Sequence, residues 1–244
     1  MSTWCLQTPR RCMQLDQIQP MGATMKLFNL HNFITIGLAI YCVCGVASAS
    51  SAYEGRSLYV SYCLLCHGAG GKGDGPLARS MNITPADLTT TVRSRSDTIL
   101  RKIITGQGRQ TITGRDRHNL LSEAMPQWQD VFNEAQLASL IAYLRFLSRK
   151  QHDLMGDPRI GRHLYQEYCR GCHGEDGDGN GIMTSLLGIT PMDHTNPNET
   201  NSLSNGQLVD AILEGRGKYM PGWKGILDQK EVEALVSYIR LLSH

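Results

Sequence analysis

The chain has 244 residues, of which 41% are hydrophobic and 19% charged, and its formal net charge at pH 7 is +2. This length suits one or two small domains, each with a buried core. The composition is typical of a soluble globular protein, and the nearly balanced charge gives no electrostatic footprint of nucleic-acid binding.

The N-terminal segment, residues 1–49, is predicted to be a secretory signal peptide. Residues 33–47 are almost wholly apolar, Lys26 precedes them, and the small residues Ala47-Ser48-Ala49 follow. This is the usual order of a basic region, a short apolar region and a cleavage site. The apolar stretch is shorter than the ~20 residues of a membrane span. An uncleaved N-terminal anchor is the alternative.

Residues 1–24 are polar and unpatterned, which is unusual in front of a signal peptide. They indicate a misassigned start, with Met21 or Met25 as the true first residue, and they are left out of the fold. Four of the eight cysteines also fall before residue 50. The remaining four occur as two pairs.

These two pairs belong to two copies of the same short motif. Cys63 and Cys66 are followed by His67, and Cys169 and Cys172 are followed by His173. Cys-x-x-Cys-His is the attachment signature of a c-type haem, in which the thiols bind the haem vinyl groups and the histidine binds the iron. A zinc site would need a second Cys or His pair nearby, and neither motif has one. The sequence therefore predicts two covalently bound haem c groups and leaves no thiol for a disulfide.

The motifs lie in an internal repeat. At an offset of 106 residues, Gly55, Tyr59 and Tyr62 match Gly161, Tyr165 and Tyr168, and Ile83-Thr84-Pro85 matches Ile189-Thr190-Pro191. At an offset of 95, Met125-Pro126-x-Trp128 matches Met220-Pro221-x-Trp223. The chain is therefore a tandem duplication, with predicted domains at 50–150 and 151–244. The first copy carries a polar insertion, roughly 109–123, which indicates a surface loop.

Each copy is predicted to form three helices around a glycine-rich loop. The helices are expected at 53–66, 96–105 and 134–148, and at 158–171, 205–214 and 230–243. The last helix of each copy has the clearest apolar periodicity. Tyr59 and Tyr165 are expected to pack on these last helices, where Gly55 and Gly161 permit a close crossing. Arg145 and Arg240 are expected on solvated helix faces.

Met125 and Met220 are the candidates for the second axial ligand of each iron. Both begin a Met-Pro-x-Trp segment before the last helix, and a thioether raises the reduction potential relative to a second nitrogen. A methionine beside a tryptophan is more often core packing, but the match between the copies favours a ligand. His118 is the competing ligand for the first haem. Trp128 and Trp223 are expected to wall the haem, bind a propionate or fill the core.

Each copy resembles a class I cytochrome c, with its haem motif, glycine-rich loop and Met-Pro segment. Residues 73–76 and 84–88 also resemble the haem domains of cbb3-type oxidases, and the tandem arrangement is c4-like. The resemblance implies an all-α fold, His/Met ligation and one-electron transfer. It further implies that a loop carbonyl holds each axial histidine, with Pro85 and Pro191 as candidates.

The expected function is a periplasmic di-haem carrier of single electrons, without a catalytic site. The alternative is an electron-entry subunit of a larger membrane oxidoreductase or terminal oxidase, and a di-haem peroxidase is less favoured because both copies offer a methionine. The expected partners are a redox donor and a redox acceptor. Residues 50–152 hold 13 Lys and Arg against 8 Asp and Glu, whereas residues 153–244 hold 8 against 13. This asymmetry suggests that the two partners dock on different halves.

Overall fold

The computed structural model describes residues 51–107 and 124–244, and these belong to one compact unit. The helices of the first half are α1 (Ala52–Tyr62), α2 (Leu64–His67), α3 (Pro76–Met81), α4 (Leu88–Thr91), α5 (Asp97–Thr105) and α6 (Glu134–Arg149). Those of the second half are α7 (Pro158–Tyr168), α8 (Arg170–His173), α9 (Ile182–Leu187), α10 (Pro197–Ser202), α11 (Asn205–Glu214) and α12 (Gln229–Leu242). The described residues form no strand beyond two isolated bridges. The predicted all-α fold is confirmed.

The long helices agree with their predicted ranges to within a few residues, but the helix through each haem motif is broken. Its first part ends at Tyr62 in one half and at Tyr168 in the other. Cys63 and Cys169 then cap that part, with φ of −114° and −113°, before a single further turn begins. The motif is therefore a separate helical turn and not the end of a longer helix.

Four short helices lie where the sequence predicts only loop. Two of them, α3 and α9, begin directly after Gly75 and Gly181 and end at a left-handed residue. The other two, α4 and α10, begin at the capping side chains of Asp87 and Asn196. Runs of four to six residues are too short to show helical periodicity, so the pattern could not reveal them.

The last helix of each half begins at a capping box. The side chains of Asn133 and Asp228 each accept a hydrogen bond from the third helical residue, whose own side chain bonds back. Such a reciprocal cap satisfies two backbone donors that a helix start otherwise leaves free. Capping fixes where the longest apolar helix faces begin, and each of these faces supplies half of the buried residues of the core in its own half.

The predicted close helix crossings are confirmed. A Cβ atom at Gly55 would lie 1.8 Å from the Ser139 carbonyl oxygen, and one at Gly161 would lie 2.0 Å from the Ala234 carbonyl oxygen. Tyr59 packs on Tyr143 with ring centroids 5.2 Å apart. In the second half, the Tyr165 and Tyr238 rings are 5.3 Å apart.

The prediction that Arg145 and Arg240 lie on solvated faces is wrong. Arg240 is 1% exposed, and its guanidinium donates to the carbonyls of Thr200 and Leu203 and to the Asn205 side chain. Arg145 donates to the carbonyls of Val92 and Arg95 and pairs with Asp97. Each arginine thus satisfies backbone carbonyls in the segment before the second long helix of its half, which a fully solvated side chain would not do.

The two halves share apolar contacts. Leu241, in the last helix, is fully buried in the core of the first half. Tyr53 of the first helix stacks edge-on against Tyr238 at 5.3 Å, and Arg162 pairs with Glu54 at 3.2 Å. The domain boundary at residue 150 stays a prediction.

The predicted signal peptide, the insertion at 109–123 and His118 lie outside the described residues. Within the described ranges, no helix has both the length and the apolarity that a membrane crossing requires.

Candidate functional site

Each Cys-x-x-Cys-His motif folds into one helical turn. The His67 amide donates to the Cys63 carbonyl at 2.8 Å, and the His173 amide donates to the Cys169 carbonyl at 2.9 Å. Residues three and four apart share a helix face, so both cysteines and the histidine of a motif point to one side. All six side chains are half-buried.

A backbone carbonyl holds each motif histidine. Nδ1 of His67 lies 3.2 Å from the Ala86 oxygen, and Nδ1 of His173 lies 3.2 Å from the Met192 oxygen. A carbonyl only accepts, so Nδ1 carries the proton and the Nε2 lone pair is left for a metal. The ring orientation is therefore the one that an axial iron ligand needs.

The expectation that Pro85 and Pro191 supply these carbonyls is wrong by one residue. The Pro85 oxygen instead faces Gly73, where an added Cβ would lie 2.4 Å away, and the Pro191 oxygen faces Gly179 in the same manner at 3.1 Å. Each proline carbonyl is thus turned toward the glycine-rich loop. The next peptide carbonyl, that of Ala86 or Met192, faces the histidine.

Burial favours the neutral form of the histidine and of the first cysteine in each motif. It lowers the pKa of His67 and His173, and the bond to the loop carbonyl partly opposes this lowering. Burial also raises the pKa of the Cys63 and Cys169 thiols to about 12, with the second cysteine of each motif adding to the effect. A neutral imidazole is the form that binds a metal.

The glycine-rich loop folds back onto each motif. The amides of Gly73 and Gly75 donate to the carbonyls of His67 and Cys66 at 2.9 and 3.1 Å. In the second half Gly179 and Gly181 make the matching bonds at 2.8 and 3.1 Å. Gly73 and Gly179 have φ of 79° and 77°, a left-handed conformation that favours glycine. The loop therefore fixes the carboxyl end of the motif in the same way twice.

The Met-Pro-x-Trp segments lie close to the motifs. The Trp128 ring is 5.4 Å from that of Tyr62, which directly precedes Cys63, and the Trp223 ring is 4.9 Å from that of Tyr168, which directly precedes Cys169. The Trp128 amide donates to the Ile104 carbonyl at 3.1 Å, and the Trp223 amide donates to the Ile212 carbonyl at 3.0 Å. Both carbonyls belong to the preceding long helix. The structure thus brings the Met-Pro-x-Trp segment of each half close to the Cys-x-x-Cys-His motif of the same half.

Both candidate methionines are half-buried. Met220 lies in a small antiparallel bridge with Arg216, with backbone hydrogen bonds of 3.1 and 3.3 Å. Met125 follows the part of the chain that is not described. The axial role of both methionines stays a prediction.

His194 is a site residue that the sequence analysis missed. It is 6% exposed and stacks on His173, with ring centroids 4.4 Å apart and planes 14° apart. Burial lowers its pKa to about 3, the neighbouring His173 adds to the lowering, and Asp193 opposes it. The repeat offset gave a signal, because the matching residue of the first half is Leu88.

Comparisons with known proteins find similarity to subunits of cbb3-type oxidases. The family model for cytochrome C oxidase, cbb3-type, subunit III matches residues 50–144 and 156–239. Cbb3-type cytochrome c oxidase subunit CcoP of Azospirillum brasilense is 29% identical over 196 residues, which cover 77% of this chain and 61% of that protein. Cbb3-type cytochrome c oxidase subunit FixP of Bradyrhizobium diazoefficiens is 24% identical over 204 residues, 78% of this chain and 60% of that protein.

The chain therefore spans about three fifths of the length of these curated relatives. Among solved structures, a chain of the Kuenenia stuttgartiensis reducing HAO-like protein complex Kustc0457/Kustc0458 is 26% identical to it. The similarity covers 78% of this chain and 96% of that chain, at a TM-score of 0.33. This score is too low for the overall arrangement of that chain to inform this one.

Proposed function

Since the chain belongs to the family of cytochrome c oxidase, cbb3-type, subunit III, we propose that it is an electron-transfer subunit of a larger membrane oxidoreductase. The family carries two covalently bound haem c groups. One observation supports the proposal most strongly: in both halves, a Cys-x-x-Cys-His turn presents a histidine whose Nδ1 is held by a loop carbonyl. This repeated geometry fits two equivalent haem sites.

In the first half, Cys63 and Cys66 would attach the haem and His67 Nε2 would bind its iron. Each thiol would add across one vinyl group, its sulfur bonding to one vinyl carbon and its hydrogen going to the other. Cys169, Cys172 and His173 would do the same in the second half. Haem c, when bound, supplies one reversible electron through its iron.

Met125 and Met220 would provide the second axial ligand. Their segments lie next to the tyrosines that precede the motifs, which supports this assignment. With a sulfur ligand from each methionine, the residues of the chain would hold the haem iron without leaving a position open to a substrate. This arrangement suits electron transfer better than peroxide turnover.

The names of the relatives favour an oxidase subunit over the free carrier that the sequence first suggested. We place the haem-bearing part on the periplasmic side of the membrane, because haem c is attached outside the cytoplasm. The opposite charge balance of the two halves supports a separate donor and acceptor.

The subunit assignment is tested by native electrophoresis of detergent-solubilised membranes from the source cells, stained for haem. We expect the chain in a high-mass band, and mass spectrometry of that band should identify the catalytic partner. The control is a variant with Cys63→Ala and Cys66→Ala, which should keep one haem of two. A haem-stained band at the mass of one chain, confined to the soluble fraction, would instead identify a free carrier.

The methionine ligands are tested by Met125→His and Met220→His. Replacing a thioether by an imidazole lowers the reduction potential of the haem concerned. We expect each substitution to move one of two midpoints downward in a spectroelectrochemical titration. Met81→His, at an exposed methionine with no partner in the repeat, is the control and should move neither. An unchanged titration for Met220→His would remove that ligand assignment.

A further inference from the structure

The two halves place different side chains at one matched position beside the motif histidine. The Leu88 amide donates to the Gly71 carbonyl at 2.7 Å, and the His194 amide donates to the Gly177 carbonyl at 2.7 Å. The preceding aspartates, Asp87 and Asp193, cap the following turn through equal 2.8 Å bonds. These backbone bonds hold the matched position alike in both halves, although a helix begins at Leu88 in the first half and only at Pro197 in the second. The side chain at the position itself is a clear difference between the halves.

In the second half that side chain is a ring stacked on the motif histidine. The His194 and His173 rings are 4.4 Å apart and nearly parallel, and His194 is 6% exposed. The first half has a leucine there, which packs against the apolar core. A buried polar ring costs free energy that leucine does not, so packing alone does not account for the histidine.

The difference extends to the buried tyrosine of the first long helix. Tyr59 donates its hydroxyl hydrogen to the Gly68 carbonyl at 2.7 Å. The matched Tyr165 hydroxyl lies 3.1 Å from His194 Nδ1 instead. In the second half, a hydrogen-bonded line thus runs from Tyr165 to His194, whose ring covers His173. The first half has no counterpart of this line among its described residues.

We propose that His194 is a positioning residue that sets the reduction potential of the second haem below that of the first. The proposal rests on the haem assignment made above. Oxidised haem carries one more positive charge than reduced haem. A polar, polarisable ring against the axial ligand stabilises the charged form, whereas the leucine of the first half does not. Polarity and hydrogen bonding around the ligands are established controls of haem potential.

The test exchanges the two side chains in the full-length, haem-loaded protein and follows both midpoints by spectroelectrochemical titration. His194→Leu should raise the lower midpoint and leave the higher one in place. Leu88→His should lower the higher midpoint, and it carries the test if His194→Leu does not fold. His194→Gln keeps a polar side chain and should move the midpoint less than leucine does.

Leu208→Ala is the control, because Leu208 is buried in the core of the second half, and we expect its loss to affect stability alone. It should lower the melting temperature without moving either midpoint. Midpoints that stay in place in both exchange variants, or that move equally in Leu208→Ala, would overturn the proposal. A haem absorbance below two groups per chain in the unmodified protein would instead contradict the haem assignment.

Discussion

The two halves of the molecule hold their motif histidines in the same way but differ in the side chains around them and in the helix that follows. Both hold the motif histidine by the second carbonyl of a Pro-x-Asp segment at the same 3.2 Å distance. They differ where Leu88 is replaced by His194 and in how deeply Arg145 and Arg240 are buried. In both halves the backbone of the loop positions the motif histidine. The side chains packed around that histidine make the two sites different.

The largest expected effect comes from substitutions at the glycines where the first and last helices of each half cross. They test whether the two halves are packed alike at this crossing. Gly55→Ala and Gly161→Ala would each place a Cβ within about 2 Å of a backbone carbonyl oxygen that cannot move aside. We expect each to destabilise the protein by about 3 kcal/mol or more, since overpacking against backbone has no relaxed solution. Urea unfolding followed by circular dichroism measures the loss.

Gly206→Ala is the control for these glycine variants. Gly206 lies in a helix, and the nearest atom to an added Cβ is the Ser204 hydroxyl oxygen at 3.8 Å. Alanine should be neutral or slightly stabilising there because of its higher helix propensity. If alanine at Gly55 or at Gly161 cost as little stability as alanine at Gly206, the two halves would not share this packing.

Replacing the matched arginines should have an intermediate effect on stability, and this effect should be larger in the second half. Arg240→Ala removes a fully buried guanidinium and leaves the Thr200 and Leu203 carbonyls without their donor. We expect a loss of about 2 to 3 kcal/mol, because orphaned buried polar groups cost their desolvation. Arg145→Ala should cost about 1 kcal/mol, since its side chain is 17% exposed and water can replace it.

The arginine comparison is also measured by urea unfolding. Arg240→Lys keeps the charge but not the forked set of donors, so it should recover only part of the stability. Arg149→Ala, at an arginine near the end of α6, serves as the surface control. Equal losses from Arg240→Ala and Arg145→Ala would mean that burial does not distinguish the two sites.

The smallest effect concerns the contact between the halves. Glu54 and Arg162 are each about half exposed and lie 3.2 Å apart. A double-mutant cycle with Glu54→Ala and Arg162→Ala should give a coupling free energy below about 0.5 kcal/mol, because exposed ion pairs are screened by water. A coupling above 1 kcal/mol would show that this pair, and not the apolar contacts beside it, joins the halves.

The parts of the fold that the sequence predicted depend on patterns along the chain. The haem motifs, the repeat and the three long helices of each half follow from residue spacing and apolar periodicity. The burial of Arg240 could not be predicted in this way, because it depends on carbonyls about 40 residues away that only the folded chain brings near. A polar side chain gives no periodic signal of what it will bind.

The sequence also predicts some residues of the site and not others. The motif residues were identified because their chemistry requires a fixed spacing. The carbonyl that holds each histidine was placed one residue too early, since the direction of a peptide plane depends on the glycine loop packed against it. The mismatch of His194 with Leu88 in the repeat shows that the halves differ there, but only the structure shows that its ring stacks on His173.

The burial of Leu241 in the core of the first half affects how the molecule unfolds. Opening the second half would withdraw this side chain and expose apolar surface of the first, so the unfolding of one half weakens the other. A protease cut between residues 150 and 157 should therefore leave two fragments that stay together, because Leu241 of the second stays packed in the core of the first. Electron exchange between the halves would then keep its rate on dilution, as a step within one cooperative body.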